Sequence, residues 1–463
     1  MALCILRLWI VPLPSSFWVD ETGTLFVVRQ GAHHPSLNVA PQVPASIYFW
    51  LPRAVDPVLT FLPHTAGVME TVYRLPSILA MALALFVIAQ IAQRLIHPNA
   101  GWFAVFACLA LRGIDYEAAD ARPYALGIVV VSATTLFLIR WLDHGRILDA
   151  VAFVVLAALI WRVHLLFWPF YLVLLVYALT RPTRNVLIAF AVIAVSLIPV
   201  LFEAMALSHH AAEHVMAPVP PPTELLRELK FGLLFVCAAL ACAFRPRALR
   251  KISPSPLALI LAWWLIPPIA LYAFSWATGN SVFVHRYLSF ALPGAALAGT
   301  AAAAFLLPEP RWNWAAIVLG LGVFIFLGDW RIPWPPHHNS DWRAAAAAIN
   351  ALPNASTLSV ICPSPFVEAR SPAWHPEYAL PGFLYAHLAA YPVQGKLLLF
   401  PFQSSPEVER WAFTLHPGRQ FVIYGQAPIV EFWRGWYLKQ GRTFQTLGDF
   451  GDVSAVLISS PNP

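Results

Sequence analysis

Ten apolar stretches alternate with short polar gaps along the first 330 residues, at about 75–93, 100–114, 123–140, 148–163, 165–180, 186–206, 229–244, 256–275, 288–307 and 312–328. Each comes close to the roughly 20 residues that an α-helix needs to cross a bilayer. With the apolar N-terminal stretch they predict about eleven spans in a polytopic α-helical membrane protein. The weakest of these is the first, because residues 1–17 are short and Arg7, Pro12 and Pro14 interrupt them. Either this segment is re-entrant or the true start lies upstream, and we expect the latter; a cleavable signal pattern is not evident.

The polar gaps carry a second signal. Arg94, then Arg140 and Arg146, then Arg181 and Arg184, then Arg245, Arg247, Arg250 and Lys251, then Arg311 occupy every second gap. By the positive-inside rule those gaps face the cytoplasm. The other gaps hold Asp20, Glu21, Asp115, Glu117, Asp120, a loop from His209 to His214, and His285. They are expected outside, as is the C-terminal part.

Two stretches do not fit the pattern of spans. Residues 20–74 form a long outside loop with Pro35, Pro41, Pro44, Pro52, Pro57 and Pro63, and with the aromatic patch Ser46-Ile47-Tyr48-Phe49-Trp50. That density of Trp and Tyr predicts short helices in the headgroup layer. From about residue 331 the chain becomes polar and proline-punctuated for about 133 residues, enough for one small domain. Strand patterns at 357–362, 396–400, 420–424 and 453–458 alternate with helical patterns at 406–415 and 429–440, and Asp341-Trp342-Arg343-Ala344 leads an alanine-rich helix. The expected organisation is a transmembrane domain at 1–330 and an extracytoplasmic α/β domain at 331–463.

Composition supports the membrane reading. The chain is 59% hydrophobic and 11% charged, against about 25% charged in soluble domains. The net charge of +6 comes from Lys and Arg dispersed in gaps, which sets topology and excludes a nucleic-acid patch. Five cysteines are scattered, with no CxxC pair, and only Cys362 lies in the polar part. Neither GxGxxG nor GxxxxGK occurs, so no nucleotide site is evident.

The candidate chemistry starts at Phe17-Trp18-Val19-Asp20-Glu21-Thr22-Gly23, where an apolar segment ends in two adjacent carboxylates. Ionisable groups at a membrane exit commonly mark function. The plainer alternative is that Asp20 and Glu21 open an interfacial helix, favoured there by its dipole. A second stretch, Asp120-Ala121-Arg122-Pro123-Tyr124-Ala125-Leu126, precedes a later span.

Together these two stretches resemble the GT-C glycosyltransferases, specifically bacterial members akin to the dolichyl-phosphate-mannose protein mannosyltransferases and the aminoarabinose lipid A transferase. Tyr73-Arg74-Leu75-Pro76-Ser77, His164, Arg286-Tyr287-Leu288 with Pro293, and Asp341-Trp342-Arg343-Ala344 add similar segments in order. The chain departs from the family in three places. Asp120 stands where Glu is usual, a His-Pro-Pro motif is reduced to Val43-Pro44-Ala45, and the first span is short.

The resemblance implies an inverting transfer of a sugar from a polyprenyl-phosphate donor to a lipid, glycan or protein acceptor. The reaction is expected on the outer face of the bacterial cytoplasmic membrane, amid membrane lipids. Asp20 is the expected general base, with Asp120 orienting the acceptor or sharing that task. Glu21, Arg74, Arg122, Tyr124, His164, Arg286 and Tyr287 are the expected substrate contacts, the arginines neutralising the leaving phosphate. For each arginine the alternative is snorkelling at a helix end. His164 has the alternative of an interfacial histidine bonded to a backbone carbonyl.

No cofactor is implied, and a divalent cation is left open. His209, His210, Glu213 and His214 have helical ligand spacing but lie in a loop that runs into prolines, which weighs against a metal. Competing functions are a transporter or flippase of lipid-linked glycans and a non-catalytic envelope assembly protein. A transporter would carry mid-span charges and repeated halves, and no internal repeat is visible.

Overall fold

The structure, a computed structural model, describes residues 1–40, 43, 45–63, 65–208, 217–244, 252–370, 382–415 and 417–460. Pro44, the helix-spaced candidates His209, His210, Glu213 and His214, and the cationic run Arg245, Arg247, Arg250 and Lys251 lie outside the described residues. The chain forms two compact units. One comprises Met1–Leu13, Ser46–Leu51 and Tyr73–Pro335; the other comprises Pro14–Ala45, Pro52–Val72 and Pro336–Pro463.

The first unit is helical, and the apolar stretches beyond residue 70 all form helices. Among the described residues five helices are long and apolar enough to cross a membrane: Val68–Leu95, Tyr124–His144, Pro254–Thr278, His285–Ala304 and Glu309–Leu327. A sixth is added if Arg184–Ser196 and Ile198–Ser208, bent by 48°, make one span. The expected count of about eleven is not confirmed among the described residues, where several stretches form shorter or broken helices. Gly101–Leu109 has nine residues and Phe231–Ala243 thirteen. Ile147–Val163 stops at seventeen, where His164 turns the chain. The first segment forms the short helix Ala2–Ile5 and a wide π turn, Leu6–Ile10.

Arg7, which interrupts that first segment in sequence, is buried and has a structural use. Its guanidinium donates to the carbonyl oxygens of Gly328, Asp329, Ile332 and Pro333 at 2.6–2.8 Å. These carbonyls follow the helix Trp312–Leu327, where unsatisfied acceptors and the negative dipole end favour a cation.

Leu292–Ala304 is the centre of the unit. Its sequence is nearly all Ala and Gly, and it is buried along almost its full length. Small side chains let neighbouring helices approach closely, and Phe231–Ala243, Pro254–Thr278 and Gly101–Leu109 all pack on it. At Gly294 a Cβ would lie 2.5 Å from the Trp263 backbone carbon, so only glycine permits that crossing.

The second unit holds the five-stranded sheet, in the order β2-β1-β3-β5-β4. Strands β1 (Ser359–Pro363), β2 (Lys396–Phe400) and β3 (Gln420–Gln426) are parallel, and β5 (Val453–Ser459) runs antiparallel between β3 and β4 (Thr443–Thr446). All four anticipated strands form. The fifth, β4, has no apolar alternation to announce it, because it is exposed along its length at the sheet edge. Helix Trp342–Asn350 starts where expected, with Asp341 Oδ1 accepting from the Ala344 N–H at 3.0 Å.

The segment carrying Asp20 belongs to this unit. Helix Val19–Gln30 packs against Ala386–Ala390, and Phe26 meets Phe383 edge to face at 6.0 Å. The preceding turn is tied down by a buried network. Glu70 Oε1 accepts from Arg343 Nη1 at 2.9 Å and from the Tyr391 hydroxyl at 2.7 Å. That hydroxyl also accepts from the Phe17 N–H at 2.8 Å, while Arg343 Nη2 donates to the Pro14 carbonyl at 3.0 Å.

Candidate active site

In the first unit, polar groups collect where three connecting segments meet the helices. The chain leaves Gly101–Leu109, forms the short helix Arg112–Ala118, turns through Asp120, Ala121 and Arg122, and starts the long helix at Tyr124. Pro123 caps that start, since its missing N–H costs nothing there. The second segment is the turn at His164 between Ile147–Val163 and Leu165–Phe167. The third is His285–Ala291, a 3-10 turn carrying Arg286 and Tyr287.

Three rings from these segments form a triangle. His164 lies 5.6 Å from Tyr124 and 5.3 Å from Tyr287, centroid to centroid, and Tyr124 lies 6.4 Å from Tyr287. The Arg286 guanidinium sits 5.3 Å from the Tyr287 ring, a cation–π distance. Glycine again permits the approach. A Cβ on Gly127 would fall on the Phe167 ring, 2.1 Å from Cε2, and Phe167 stacks on His164 at 5.2 Å.

The ionisation of this cluster follows from its surroundings. His164 Nδ1 accepts from the Leu166 N–H at 3.2 Å, which assigns the ring proton to Nε2. Burial, then the charges of Arg122 and Arg286, push His164 down to about 3, so the imidazole is neutral. Glu117 responds in the opposite sense. Burial raises it, and the nearby Asp120 charge raises it further, so that it stays well above the ordinary carboxyl range despite Arg286 and Arg122. The hydroxyl of Tyr124 and Oε2 of Glu117 are buried without a hydrogen-bond partner among the described residues.

The arrangement therefore gathers Asp120, Arg122, Tyr124, His164, Arg286 and Tyr287 from the anticipated residues. Glu117 is the member that pattern reading did not single out. Its signal was present only as an acidic residue close before Asp120 in the same outside gap.

Other anticipated residues are placed differently. Arg74 is fully buried and donates to the carbonyl oxygens of Leu13 at 2.7 Å and Pro12 at 3.4 Å, holding the end of the N-terminal segment. Asp20 and Glu21 occupy the first turn of Val19–Gln30 in the second unit. Glu21 Oε2 accepts from the Trp18 N–H at 3.2 Å, the reciprocal contact of a helix N-terminus. Glu21 thus helps close the first turn of its helix.

Two further acids serve neighbouring positions. Asp115 Oδ1 accepts from the Trp9 indole N–H at 3.0 Å, and burial pushes its carboxyl up to about 8 against that bond and the Arg112 charge. Glu228 Oε2 is 2.9 Å from His285 Nδ1 and 3.0 Å from Lys230 Nζ. Burial would raise Glu228, but the His285 hydrogen bond and charge, with Lys230, outweigh it and hold the carboxyl near 2.

The chain shares its fold with the crystal structure of ArnT from Cupriavidus metallidurans bound to undecaprenyl phosphate. The TM-score is 0.56 at 14% identity, over 98% of this chain and 96% of that one. The apo structure of the same protein gives 0.55 over the same shares. A partial likeness to the arabinosyltransferase EmbB from Mycobacterium smegmatis has a TM-score of 0.36. No protein-family model and no curated protein matches the chain.

Proposed function

We propose that this protein is a membrane glycosyltransferase that moves a sugar from a polyprenyl-phosphate donor to a lipid, glycan or protein acceptor, with inversion at the anomeric carbon. The reaction takes place on the outer face of a bacterial cytoplasmic membrane. The observation that carries this reading is the polar cluster itself. The Arg122 and Arg286 guanidiniums lie within electrostatic reach of both Glu117 and His164, Asp120 within reach of Glu117, and the His164 ring meets those of Tyr124 and Tyr287. The shared fold with a protein crystallised on undecaprenyl phosphate supports the donor class.

In the proposed step the acceptor oxygen attacks the anomeric carbon, and the bond from that carbon to the phosphate oxygen breaks. Its electron pair leaves on the phosphate, and the acceptor proton passes to a carboxylate, assigned by motif resemblance to Asp20. Asp120 orients the acceptor. Arg122 and Arg286 neutralise the charge that grows on the leaving phosphate, a task for which guanidinium is suited by its fixed fork of donors. Neutral His164, with its proton on Nε2, is a hydrogen-bond donor that adds no charge.

The test is mass spectrometry of envelope glycolipids and glycoproteins in cells with the gene, without it, and with Asp20→Asn or Asp120→Asn. Loss of one glycosylated species in all three altered strains, with each variant protein still folded in the membrane, is the expected result. An unchanged glycan profile in the deletion strain overturns the reading.

A further inference from the structure

The 3-10 turn that carries Arg286 and Tyr287 is fixed at both ends, and each end is fixed differently. At the far end the Trp263 indole N–H donates to the Phe290 carbonyl at 2.8 Å, a buried contact from the helix Pro254–Thr278. At the near end stands His285, whose side chain is 48% exposed, so burial alone does not set where the ring points. A carboxylate does: Glu228 Oε2 lies 2.9 Å from His285 Nδ1.

Glu228 is presented from a rigid base. It is buried at the end of the short helix Pro222–Glu228. The next residue, Leu229, accepts at its carbonyl from the Trp264 indole N–H at 2.6 Å, and Phe231 meets the Trp264 ring edge to face at 5.2 Å. Between them Lys230 takes a left-handed backbone, φ 53°, which is uncommon for a residue with a side chain. Its Nζ returns to Glu228 Oε2 at 3.0 Å, and Arg227 Nε lies 3.5 Å from Oε1. With these cations beside it the carboxyl is ionised and only accepts, so Nδ1 of His285 carries a proton and donates. The other edge of the ring faces the segment that leads to Asp120. A Cβ on Gly113 would lie 3.2 Å from His285 Nε2, so glycine at that place in Arg112–Ala118 leaves room for the ring.

We propose that Glu228 and His285 are positioning residues: the carboxylate holds the imidazole, and through it the start of the 3-10 turn, in the place from which Arg286 meets the phosphate of the donor. This rests on the reading of the cluster as a polyprenyl-phosphate site. Neither residue contacts substrate in this role. The pair matters because a misplacement of about 1 Å can cost about 10²-fold in a reaction that depends on orientation. Charge alone predicts the opposite sign, since removing a carboxylate near the site favours an anion.

The experiment measures binding of undecaprenyl phosphate to the detergent-purified full chain, for wild type, Glu228→Ala, His285→Ala, the two combined, Glu228→Gln, Lys230→Gln and Arg286→Ala, and for Glu228→Ala and His285→Ala each combined with Arg286→Ala. Glu228→Ala and His285→Ala are each expected to weaken binding about tenfold, and the two combined no further, because both break one contact. Glu228→Gln, whose amide oxygen still accepts from Nδ1, recovers most of the affinity. Lys230→Gln leaves that contact intact and stays within about twofold of wild type. Beside Arg286→Ala neither alanine change has a further effect, whereas a general loss of packing would add to it. Wild-type affinity in His285→Ala, a loss in Lys230→Gln as large as in Glu228→Ala, or full additivity with Arg286→Ala overturns the inference and leaves the phosphate site standing. If Glu228→Ala does not fold, His285→Ala alone and with Arg286→Ala decides by the same criteria. Absence of binding by wild type, or wild-type binding by Arg286→Ala, overturns the phosphate site itself, and the inference with it.

Discussion

Two buried polar clusters in this protein look alike in composition and differ in how completely they are bonded. In the second unit, Glu70 accepts from both Arg343 and Tyr391, and the Tyr391 hydroxyl accepts in turn from the Phe17 N–H. In the first unit, Glu117 and Tyr124 each bury an oxygen with no hydrogen-bond partner among the described residues, beside Asp120 and within reach of Arg122 and Arg286. A closed network stabilises the chain by itself. An open one costs stability until something else completes it, so the unsatisfied cluster is where chemistry is to be sought.

That contrast can be broken by experiment. If the open cluster binds the leaving phosphate, Arg286→Ala and Arg122→Ala each lower transfer by about 10²–10³-fold with the fold intact. Transfer assayed in membranes, alongside thermal unfolding of the purified variants, checks this; a large fall in unfolding temperature together with activity would place these arginines in the closed class instead. For the closed network the expectation is reversed. Arg343→Ala leaves the Glu70 charge uncompensated and destabilises by about 3 kcal/mol, and Tyr391→Phe, which strands the Phe17 N–H, by about 1–3 kcal/mol. Denaturation midpoints measure both.

Smaller effects sharpen the same comparison. Gly127→Ala drives a methyl into Phe167 and is expected to cost about 1–3 kcal/mol while displacing the turn at His164. Near-ultraviolet circular dichroism and transfer assays should change together. The smallest concerns acid. Glu228 is held near 2 in the folded chain, below its ordinary 4.5. Its contribution is complete above the ordinary value and is lost as pH falls from about 4.5 toward 2. Glu228→Gln should flatten the part of the acid-unfolding curve in that window, and an unchanged curve would show that the bond to His285 contributes nothing to stability.

Much of this was legible before any coordinates. Apolar stretches beyond residue 70 became helices because a hydrophobic run of that length has few other ways to satisfy its backbone. The strand patterns read at 357–362, 396–400, 420–424 and 453–458 were short apolar runs between polar breaks, and they form the strands Ser359–Pro363, Lys396–Phe400, Gln420–Gln426 and Val453–Ser459. Asp120, Arg122 and Tyr124 were legible as a local motif, and Asp341 as the head of an alanine-rich helix. The span count was less legible, because hydropathy does not record where a helix breaks: Ser196 and Ile198 belong to one apolar run but to two helices bent by 48°.

The rest depended on tertiary structure. Nothing local distinguishes Arg74, spent on the Pro12 and Leu13 carbonyls, from Arg286, which stands over Tyr287 beside the open cluster. The pairing of Glu228 with His285 spans 57 positions, and the triangle of Tyr124, His164 and Tyr287 draws on three separate segments. Residue type and spacing settled which groups are ionisable and which stretches are helical, since both are properties of short pieces of chain. That the Glu117 and Tyr124 oxygens are buried without a hydrogen-bond partner among the described residues was decided only by packing, because burial and hydrogen bonding are contributed by residues far apart in sequence.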